Sequence, residues 1–326
     1  SIAKEIINMK IIEIINQSSE PLISYEIIPP VRGRSADHVY SIIDELIECH
    51  PPFIDVTSHS AEPIYLEQVD GSFKRKLQRK RPGTIGLCAA IKYKYNIEAV
   101  PHILCKGFTR QETEDALIEL NYLGIDNILA ITGDGNHKTM GGTYEKHINT
   151  YSIDLIEQIG KMNDGIYEED IIDSAKSNFC IGVGAYPEKH PQAPSVERDI
   201  RYLKTKIEAG ADYIVTQMFF NNSDYFNFVE RCRFHGIDVP IIPGLKLITK
   251  KKQLNSIPKH FSINIPDELV REMESSRSGS DAKEIGIEFA LKQSEALLQA
   301  NVPGLHFYVM QDVKSIKQIV STLKKY

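Results

Sequence analysis

The sequence predicts an α/β fold: a single (β/α)8 barrel of the TIM type, with an N-terminal helix and extra helices before the last strand. Short β-prone segments alternate with helical segments, and eight such units can be counted. This alternation favours parallel strands joined by right-handed crossovers. The 326 residues suit a barrel of about 250 residues plus insertions. An open doubly wound sheet is the alternative, but no G-x-G-x-x-G follows the first strand.

The composition is that of a globular protein, with 42% hydrophobic and 25% charged residues and a mean hydropathy of −0.25. No run approaches the roughly 18 apolar residues that predict a membrane span. The net charge of −6 argues against a nucleic-acid binder, which needs a basic surface. The five cysteines are scattered, without a C-x-x-C pair, and fit a reducing, cytoplasmic location. We expect residues 1–326 to form one domain.

The first half of the chain predicts a leading helix and four βα units. Isoleucines at helical spacing predict a helix over residues 2–16 that covers one end of the core. Thr109 and Glu112 stand at capping-box spacing. Residues 64–80 are basic and polar, and no element is predicted there. The predicted strands are 24–28, 53–58, 99–105 and 127–132, and the helices that follow them are 37–48, 84–93, 109–123 and 152–162.

The second half of the chain predicts four more units after an acidic connector, residues 164–177. Two or three helices are expected within residues 249–300, ahead of the last strand. The predicted strands are 179–185, 213–220, 240–243 and 305–310, and the remaining helices are 195–209, 223–235 and 312–324.

Residues 24–30 read Ser-Tyr-Glu-Ile-Ile-Pro-Pro and place one carboxylate inside a β-prone run. An unpaired buried carboxylate is costly to desolvate, so a strand interior rarely holds a lone Glu. Prolines cannot extend a ladder of hydrogen bonds, so the strand must end after Ile28. Glu26 is therefore predicted near the carboxyl end of a strand, where barrel active sites form.

Further polar residues fall at the predicted strand ends or just beyond them. Each has a structural alternative: Glu26 could pair with a cation, Asp134 could be a turn residue, and His102 could be a core histidine. Convergence on one rim is the stronger indication. Metal ligation is not predicted, because no H-x-x-x-H or H-E-x-x-H spacing occurs. The residues are Glu26, Thr57, His102, Asp134, Tyr186, His190, Gln217 and Tyr308.

These residues bring out a family resemblance. From about residue 22 to 325 the chain resembles methylenetetrahydrofolate reductase in its short form, which has the catalytic domain alone. Seven motifs in the right order carry the resemblance. They are residues 24–30, Pro101-His102, Gly133-Asp134, and residues 185–191, 216–220, 241–244 and 306–308.

The resemblance implies a single catalytic barrel that holds FAD across its carboxyl rim, takes hydride from NADH or NADPH, and reduces 5,10-methylenetetrahydrofolate to 5-methyltetrahydrofolate. It places the protein in one-carbon metabolism and methionine biosynthesis, as a homo-oligomer. It assigns Glu26 as the general acid that protonates a folate nitrogen. Burial in an Ile-lined pocket would raise the pKa of that carboxyl and suit it to the role. Asp134 would lie beside the flavin and the pterin.

The resemblance also implies two sets of binding residues. FAD-contacting positions fall on Thr57, His102, Thr132, Gly133, Asp134, Tyr151, Ser152, Tyr186, His190, Asp199 and Lys206. Folate-contacting positions fall on Glu26, Gln217, Gln253 and Tyr308.

Four departures from the family pattern leave alternatives open. Thr132 and Thr205 stand where arginines are common, Ile257 where an aromatic residue is common, and Asp312 where an arginine is expected. Another redox protein could therefore replace the nicotinamide as electron donor. A folate-binding or partner subunit with little or no flavin is one alternative function. A barrel lyase that uses Glu26 is another; it would need a lysine or a metal at the rim, for which the sequence offers no strong candidate.

Overall fold

A computed structural model describes residues 8–133, 147–309 and 312–324. Nine parallel strands form one sheet in the order β10-β11-β1-β2-β5-β6-β7-β8-β9, and β3 and β4 form a separate antiparallel hairpin. The strands are β1 (Leu22–Ile27), β2 (Phe53–Val56), β3 (Ala61–Glu67), β4 (Phe73–Arg79), β5 (Glu98–Leu104), β6 (Asn127–Ile131), β7 (Cys180–Ala185), β8 (Tyr213–Thr216), β9 (Ile241–Ile242), β10 (Gly244–Leu245) and β11 (Gly304–Tyr308).

The two outer strands of this sheet are consecutive in sequence, because only Pro243 separates β9 from β10. β9 pairs with β8 and β10 pairs with β11, and the carbonyl of Pro243 accepts a hydrogen bond from His306 N at 3.0 Å. The two short strands are therefore halves of one strand, broken where proline has no N–H to donate. Counted this way the sheet closes into an eight-stranded barrel, and the predicted TIM-type fold is confirmed.

Helices cover the outside of the barrel. A single π-helical turn, Ile91–Tyr95, follows α3. No helix in the described part of the chain is both long enough and apolar enough to cross a membrane. The α-helices are α1 (Ile11–Gln17), α2 (Asp37–Ile47), α3 (Thr84–Ala90), α4 (Arg110–Tyr122), α5 (Ser152–Asn163), α6 (Val196–Glu208), α7 (Asn222–Phe234), α8 (Gln253–Phe261), α9 (Asp267–Ser275), α10 (Gly279–Gln299) and α11 (Val313–Leu323).

The core has an outer layer between strands and helices and an inner layer inside the barrel. In β2, Ile54 and Val56 belong to the outer layer, whereas Phe53 belongs to the inner one. Side chains alternate along a strand, so Asp55 also points inward. α1 closes the amino end of the barrel with Ile11 and Ile14, which pack in the inner layer. The helix predicted over residues 2–16 covers one end of the core, but in the structure it begins at Ile11, because residues 8–10 are not helical. Its part before residue 8 lies outside the described residues.

A buried polar network links α1 to the amino end of the barrel. Glu98, the first residue of β5, accepts hydrogen bonds from Lys92 Nζ at 2.7 Å, Asn8 N at 2.6 Å and Asn127 Nδ2 at 3.0 Å. Asn127 Oδ1 accepts from Ile11 N at 2.8 Å. The buried charges of Lys92 and Glu98 are thus paired, as burial requires.

Two elements differ from the sequence prediction. The segment left without structure, residues 64–80, lies largely in the β3–β4 hairpin, whose β4 is mostly exposed and basic and therefore lacks an apolar alternation. The strand predicted over residues 213–220 ends at Thr216. The apolar residues Met218 and Phe220 instead pack with Ile257 in a separate cluster beneath α8 to α10.

Candidate active site

The carboxyl rim, meaning the ring formed by the C-terminal ends of the barrel strands, brings together inward-facing residues from non-adjacent parts of the chain. Glu26 lies next to the end of β1, and its register partners are Asp55 on β2 and Tyr308 on β11. His102 reaches the same place from β5. Of these four residues, Glu26, His102 and Tyr308 were predicted from the sequence as rim residues.

Asp55 was missed by the sequence analysis. Its side chain is 0% exposed, and neither carboxyl oxygen has a hydrogen-bond partner. Burial raises the pKa of Asp55 to about 7, while His306 opposes that shift. The available signal was an acid inside the apolar run Phe-Ile-Asp-Val, the same signal that singled out Glu26.

His102 lies between the two acids. Its Nε2 is 3.4 Å from Asp55 Oδ2 and 3.6 Å from Glu26 Oε2. The ring is 5% exposed, and Glu26 is 15% exposed. Burial lowers the pKa of His102, although the nearby Glu26 opposes this, so the neutral imidazole is favoured. A neutral imidazole nitrogen can accept a proton from one acid and pass it to another.

β11 contributes His306 to the site in addition to Tyr308. His306 Nδ1 lies 2.9 Å from Ser24 Oγ, across the β1–β11 seam. Tyr308 OH donates to the carbonyl of Thr216 at 2.5 Å. A Cβ on Gly244 would lie 2.7 Å from the Tyr308 ring, so this position must stay free of a side chain. Tyr308 thereby spans β10 and fixes the rim between β11 and β8.

Lys246 is a second rim residue that the sequence analysis missed. It follows β10, and its Nζ donates to the carbonyl of Tyr308 at 2.8 Å. Burial lowers the pKa of Lys246 to about 8, and the charges of Glu26 and Asp312 oppose that shift. The expectation that the rim has no strong lysine candidate is therefore wrong.

A second polar group lies on β7 and α6, across the barrel from β1. His190 N donates to Asp199 Oδ2 at 2.6 Å, and the Tyr186 and His190 rings meet edge to face at 4.7 Å. Lys206 Nζ is 3.5 Å from the carbonyl of Gly184. Burial lowers the pKa of Lys206, while Asp199 opposes this. Together these side chains line a small cavity of about 30 Å³.

The other predicted cofactor positions that the structure describes lie just after β2, just after β6 and at the start of α5. Thr57 Oγ1 is 3.1 Å from His59 Nε2, just beyond β2. Thr132 and Gly133 follow β6, and Gly133 has a φ of +87°, which glycine adopts without strain. Tyr151 precedes α5 and is exposed, whereas Ser152 begins the helix and is buried. Asp134, predicted as a catalytic residue, lies outside the described residues.

Gln217 and Gln253, both predicted to contact folate, lie in different parts of the structure. Gln217 directly follows β8 at the rim and accepts from Met218 N at 2.9 Å. Gln253 opens α8, and its Oε1 accepts from Thr249 N and Lys250 N at 2.8 and 2.9 Å. Its side-chain oxygen therefore holds the preceding turn.

The positions that depart from the family pattern have structural partners. Ile257 is buried in the cluster beneath α8 to α10. Asp312 accepts from Lys283 Nζ and from Ser315 N, each at 3.2 Å, and so begins α11. Thr205 donates to the carbonyl of Tyr202 on the exposed side of α6.

A larger cavity of about 180 Å³ lies between α3 and α4, outside the wall formed by β5. Arg79, Arg81, Thr84 and Phe108 contribute to its lining, and it touches His102. The inward-facing acids of the rim do not line it, so we place the candidate chemistry at the rim.

Comparison with known proteins gives this geometry a context. The family model for methylenetetrahydrofolate reductase matches residues 10–324. The 5,10-methylenetetrahydrofolate reductases of Pectobacterium carotovorum and Salmonella typhimurium are each 28% identical, and the matches cover 95% and 98% of this chain and 94% and 95% of those proteins. Methylenetetrahydrofolate reductase 2 of Saccharomyces cerevisiae is 31% identical over 97% of this chain, which spans 50% of the yeast protein.

A solved structure supports the fold. An uncharacterized protein from Clostridium thermocellum, described as binding two copies of 5-methyl-5,6,7,8-tetrahydrofolic acid, aligns with a TM-score of 0.58 at 14% identity. The alignment covers 96% of this chain and 98% of that one, a likeness of fold alone. The family match leaves only the two ends of the chain outside it, and it takes in every described residue of the rim. The chain belongs to the methylenetetrahydrofolate reductase family.

Proposed function

We propose that this protein reduces 5,10-methylenetetrahydrofolate to 5-methyltetrahydrofolate with FAD and a reduced nicotinamide, as one catalytic unit over residues 1–326. The observation that carries the proposal is Glu26: an acid on a barrel rim, 3.6 Å from a buried histidine, in a chain of this family. It is buried enough to be shielded from bulk water, yet 15% exposed toward the rim. An acid so placed can deliver a proton to a bound substrate.

The residues present fit FAD on the β7 side of the rim. Lys206 supplies a cation for the diphosphate, which lysine binds as a point charge. Tyr186 and His190 offer aromatic faces beside the small cavity. Thr132 in place of arginine removes one cation, and Lys206 remains. Bound FAD would supply hydride transfer from a reduced nicotinamide to the one-carbon unit.

Glu26 performs the proton step in this proposal. It donates its proton to a nitrogen of the folate five-membered ring, the ring opens at that nitrogen, and the one-carbon unit is left as an iminium cation that accepts the hydride. Gln217 presents an amide that can donate and accept hydrogen bonds along a pterin edge. Tyr308 lies between Glu26 and β10, with its hydroxyl fixed on Thr216, and would define one wall of the pterin site.

The test separates the two half-reactions. Purified protein is loaded with FAD, and the absorbance of the flavin is followed in the absence of oxygen. Because the chain contains no Trp, the flavin spectrum is easy to see. We expect NADH or NADPH to bleach the flavin, and methylenetetrahydrofolate to restore its colour while 5-methyltetrahydrofolate forms. Comparing the two nicotinamides identifies the donor. Protein that takes up no FAD would instead be the folate-binding or partner subunit, and the proposal would fail.

Lys246 favours one second candidate, a barrel lyase that uses a rim lysine. A buried amine with a lowered pKa can form a Schiff base with a carbonyl substrate. This activity would appear as a borohydride-trapped adduct that Lys246→Arg abolishes. In a reductase the same variant keeps its cation and retains folate reduction, so one variant discriminates the two functions.

A further inference from the structure

Asp55 is a buried acid that the proposed chemistry has not yet used. Glu98, the other fully buried acid of the barrel interior, is paired with Lys92, but no Lys or Arg pairs with Asp55 in the described part of the chain. Both oxygens of Asp55 lack a hydrogen bond. An ionised carboxylate would be very costly in this place, so the structure requires a carboxyl that holds its proton.

The route from Asp55 to Glu26 passes through one atom. His102 Nε2 faces Asp55 Oδ2 at 3.4 Å and Glu26 Oε2 at 3.6 Å. Both distances are slightly long for hydrogen bonds, as is common before a substrate tightens an active site. A small rotation of the imidazole therefore moves Nε2 from one acid to the other. Asp55 and Glu26 are also register partners on β1 and β2, so the strand pairing fixes their separation.

We propose that Asp55 and His102 form a buried proton relay that recharges Glu26 while substrate and cofactor cover the rim. The inference rests on the proposed function, in which Glu26 gives up one proton in each turnover. The O–H bond of Asp55 breaks as an N–H bond forms on His102 Nε2. That N–H bond then breaks as an O–H bond forms on Glu26. Both steps are proton transfers, and nothing is oxidised or reduced.

Asp55 regains its proton by the same route in reverse. When product leaves, water reaches Glu26, and a proton from solvent passes through His102 Nε2 to Asp55. Asp55 itself is 0% exposed, so the described residues leave it no direct contact with solvent. The protein then enters each new cycle with two protonated acids, one at the substrate and one in reserve. In this scheme Asp55 is a positioning residue, because it acts through His102.

The other groups that face Asp55 do not compete for this proton near neutral pH. Tyr213 on β8, Tyr308 on β11 and Cys88 on α3 interact with it, and burial raises the pKa of each well above its ordinary value. His306 on β11 also faces Asp55; burial lowers its pKa, and its Nδ1 is engaged with Ser24. Among the groups that face Asp55, His102 is the one whose Nε2 lies near both acids, 3.4 Å from Asp55 and 3.6 Å from Glu26. Lys246 interacts with Glu26 and Asp312, not with Asp55.

Asp55→Asn tests the relay, because the amide keeps the shape and cannot give up a proton. The control is Asp212→Asn, in which the side-chain oxygen can still accept from Ile181 N near the amino end of the barrel. We expect both variants to bind FAD and accept hydride like the wild type. In Asp55→Asn the first folate turnover should run at the wild-type rate, since Glu26 starts protonated, and later turnovers should slow at least tenfold. A first turnover slowed as much as the later ones, or wild-type rates throughout, would overturn the relay.

Infrared spectroscopy of the FAD-free protein supplies a readout that does not depend on activity. A protonated carboxyl absorbs apart from a carboxylate, and its band shifts in heavy water. We expect the wild type and Asp212→Asn to show such a band that disappears on titration near neutral pH, and we expect that band to be missing from Asp55→Asn, in which the band of protonated Glu26 remains. Absence of this band from the wild type overturns the relay even if the Asn variant does not fold. Failure of wild-type protein to reduce folate would instead refute the proposed function.

Discussion

The two ends of this barrel treat buried charge in opposite ways. At the amino end, Glu98 receives three hydrogen bonds, one of them from Lys92, and α1 covers the network. At the carboxyl end, Asp55 has no hydrogen bond, and His102 lies between two acids without bonding closely to either. Both acids are buried in the same barrel, so burial alone does not distinguish them.

The difference lies in what the surroundings allow each acid to do. Removing the cation from a buried, paired carboxylate would leave an unpaired group in an apolar interior, so such a pair is a structural element. An unpaired acid keeps its proton near neutral pH and can exchange it. We therefore expect the amino end to contribute to stability and the carboxyl end to carry the proposed proton transfer. Four variants test this contrast, from the largest expected effect to the smallest.

Glu26→Gln should have the largest effect. We expect FAD binding and flavin reduction to persist while folate reduction falls about 10²–10⁴-fold, because Gln fills the same space but donates no acidic proton. Stopped-flow absorbance measures each half-reaction separately. Glu98→Gln at the amino end is the matched control and should leave both rates unchanged at a temperature where it is folded. Equal loss of both half-reactions in Glu26→Gln would make Glu26 a structural residue.

Lys92→Met should act on stability instead. It leaves Glu98 as a buried charge without its cation, which costs about 3–5 kcal/mol in the free energy of unfolding. Urea unfolding followed by circular dichroism measures this. The double variant Lys92→Met with Glu98→Leu should recover part of the loss, because it removes both charges. If the single variant is as stable as the wild type, the amino-end network does not stabilise the fold as we expect.

Asp55→Asn should change how stability depends on pH. A raised pKa in the folded state means that wild-type stability from this group is complete below the unfolded pKa and is lost as pH rises toward about 7. Asn has no such dependence, so between pH 5 and 8.5 the variant should gain about 2–3 kcal/mol relative to the wild type. Urea unfolding at the two pH values checks this. Parallel pH curves for the two proteins would mean that Asp55 is not protonated in the folded state.

Lys246→Met should have the smallest effect. A cation that interacts with Glu26 favours the ionised carboxylate, so its removal should keep Glu26 protonated to higher pH. We expect the alkaline limb of the folate half-reaction to move up by about one pH unit, or a change of about tenfold at fixed alkaline pH. Lys246→Arg should leave the profile in place. A downward shift in the Met variant would contradict this arrangement.

Much of the fold was predictable because the βα alternation is regular and because prolines and capping residues mark where elements end and begin. Pro29 and Pro30 marked the end of β1, and Thr109 and Glu112 marked the start of α4, where both capping hydrogen bonds form. The β3–β4 hairpin was not predictable, since its exposed, basic strand has no apolar face to create a period. The break at Pro243 was not predicted, because it is defined by the pairing of β9 with β8 and of β10 with β11.

At the site, residues within family motifs were easier to predict than residues outside them, although Glu26 and Asp55 are register partners at the same level of the barrel. Glu26 and Tyr308 belong to motifs of the family and stand at the rim. Asp55 lies inside an apolar strand, and its significance depends on the absence of a partner, which is a property of three dimensions. Lys246 comes two residues after Gly244, whose side-chain position faces Tyr308, so alternation along the chain places it on the same side. A strand of two residues is too short to show that alternation in the sequence.

The seam between β1 and β11 has a consequence for synthesis on the ribosome. Ser24 and His306 meet across 282 positions of sequence, and Glu26 has Tyr308 as its register partner on the same seam. During translation the first strand emerges long before its neighbour exists, so its β11 edge must wait unpaired until the last strand follows. A nascent chain that lacks the last strand carries Glu26 without the wall that positions it. Closure of the barrel and assembly of its chemistry are thus a single late event.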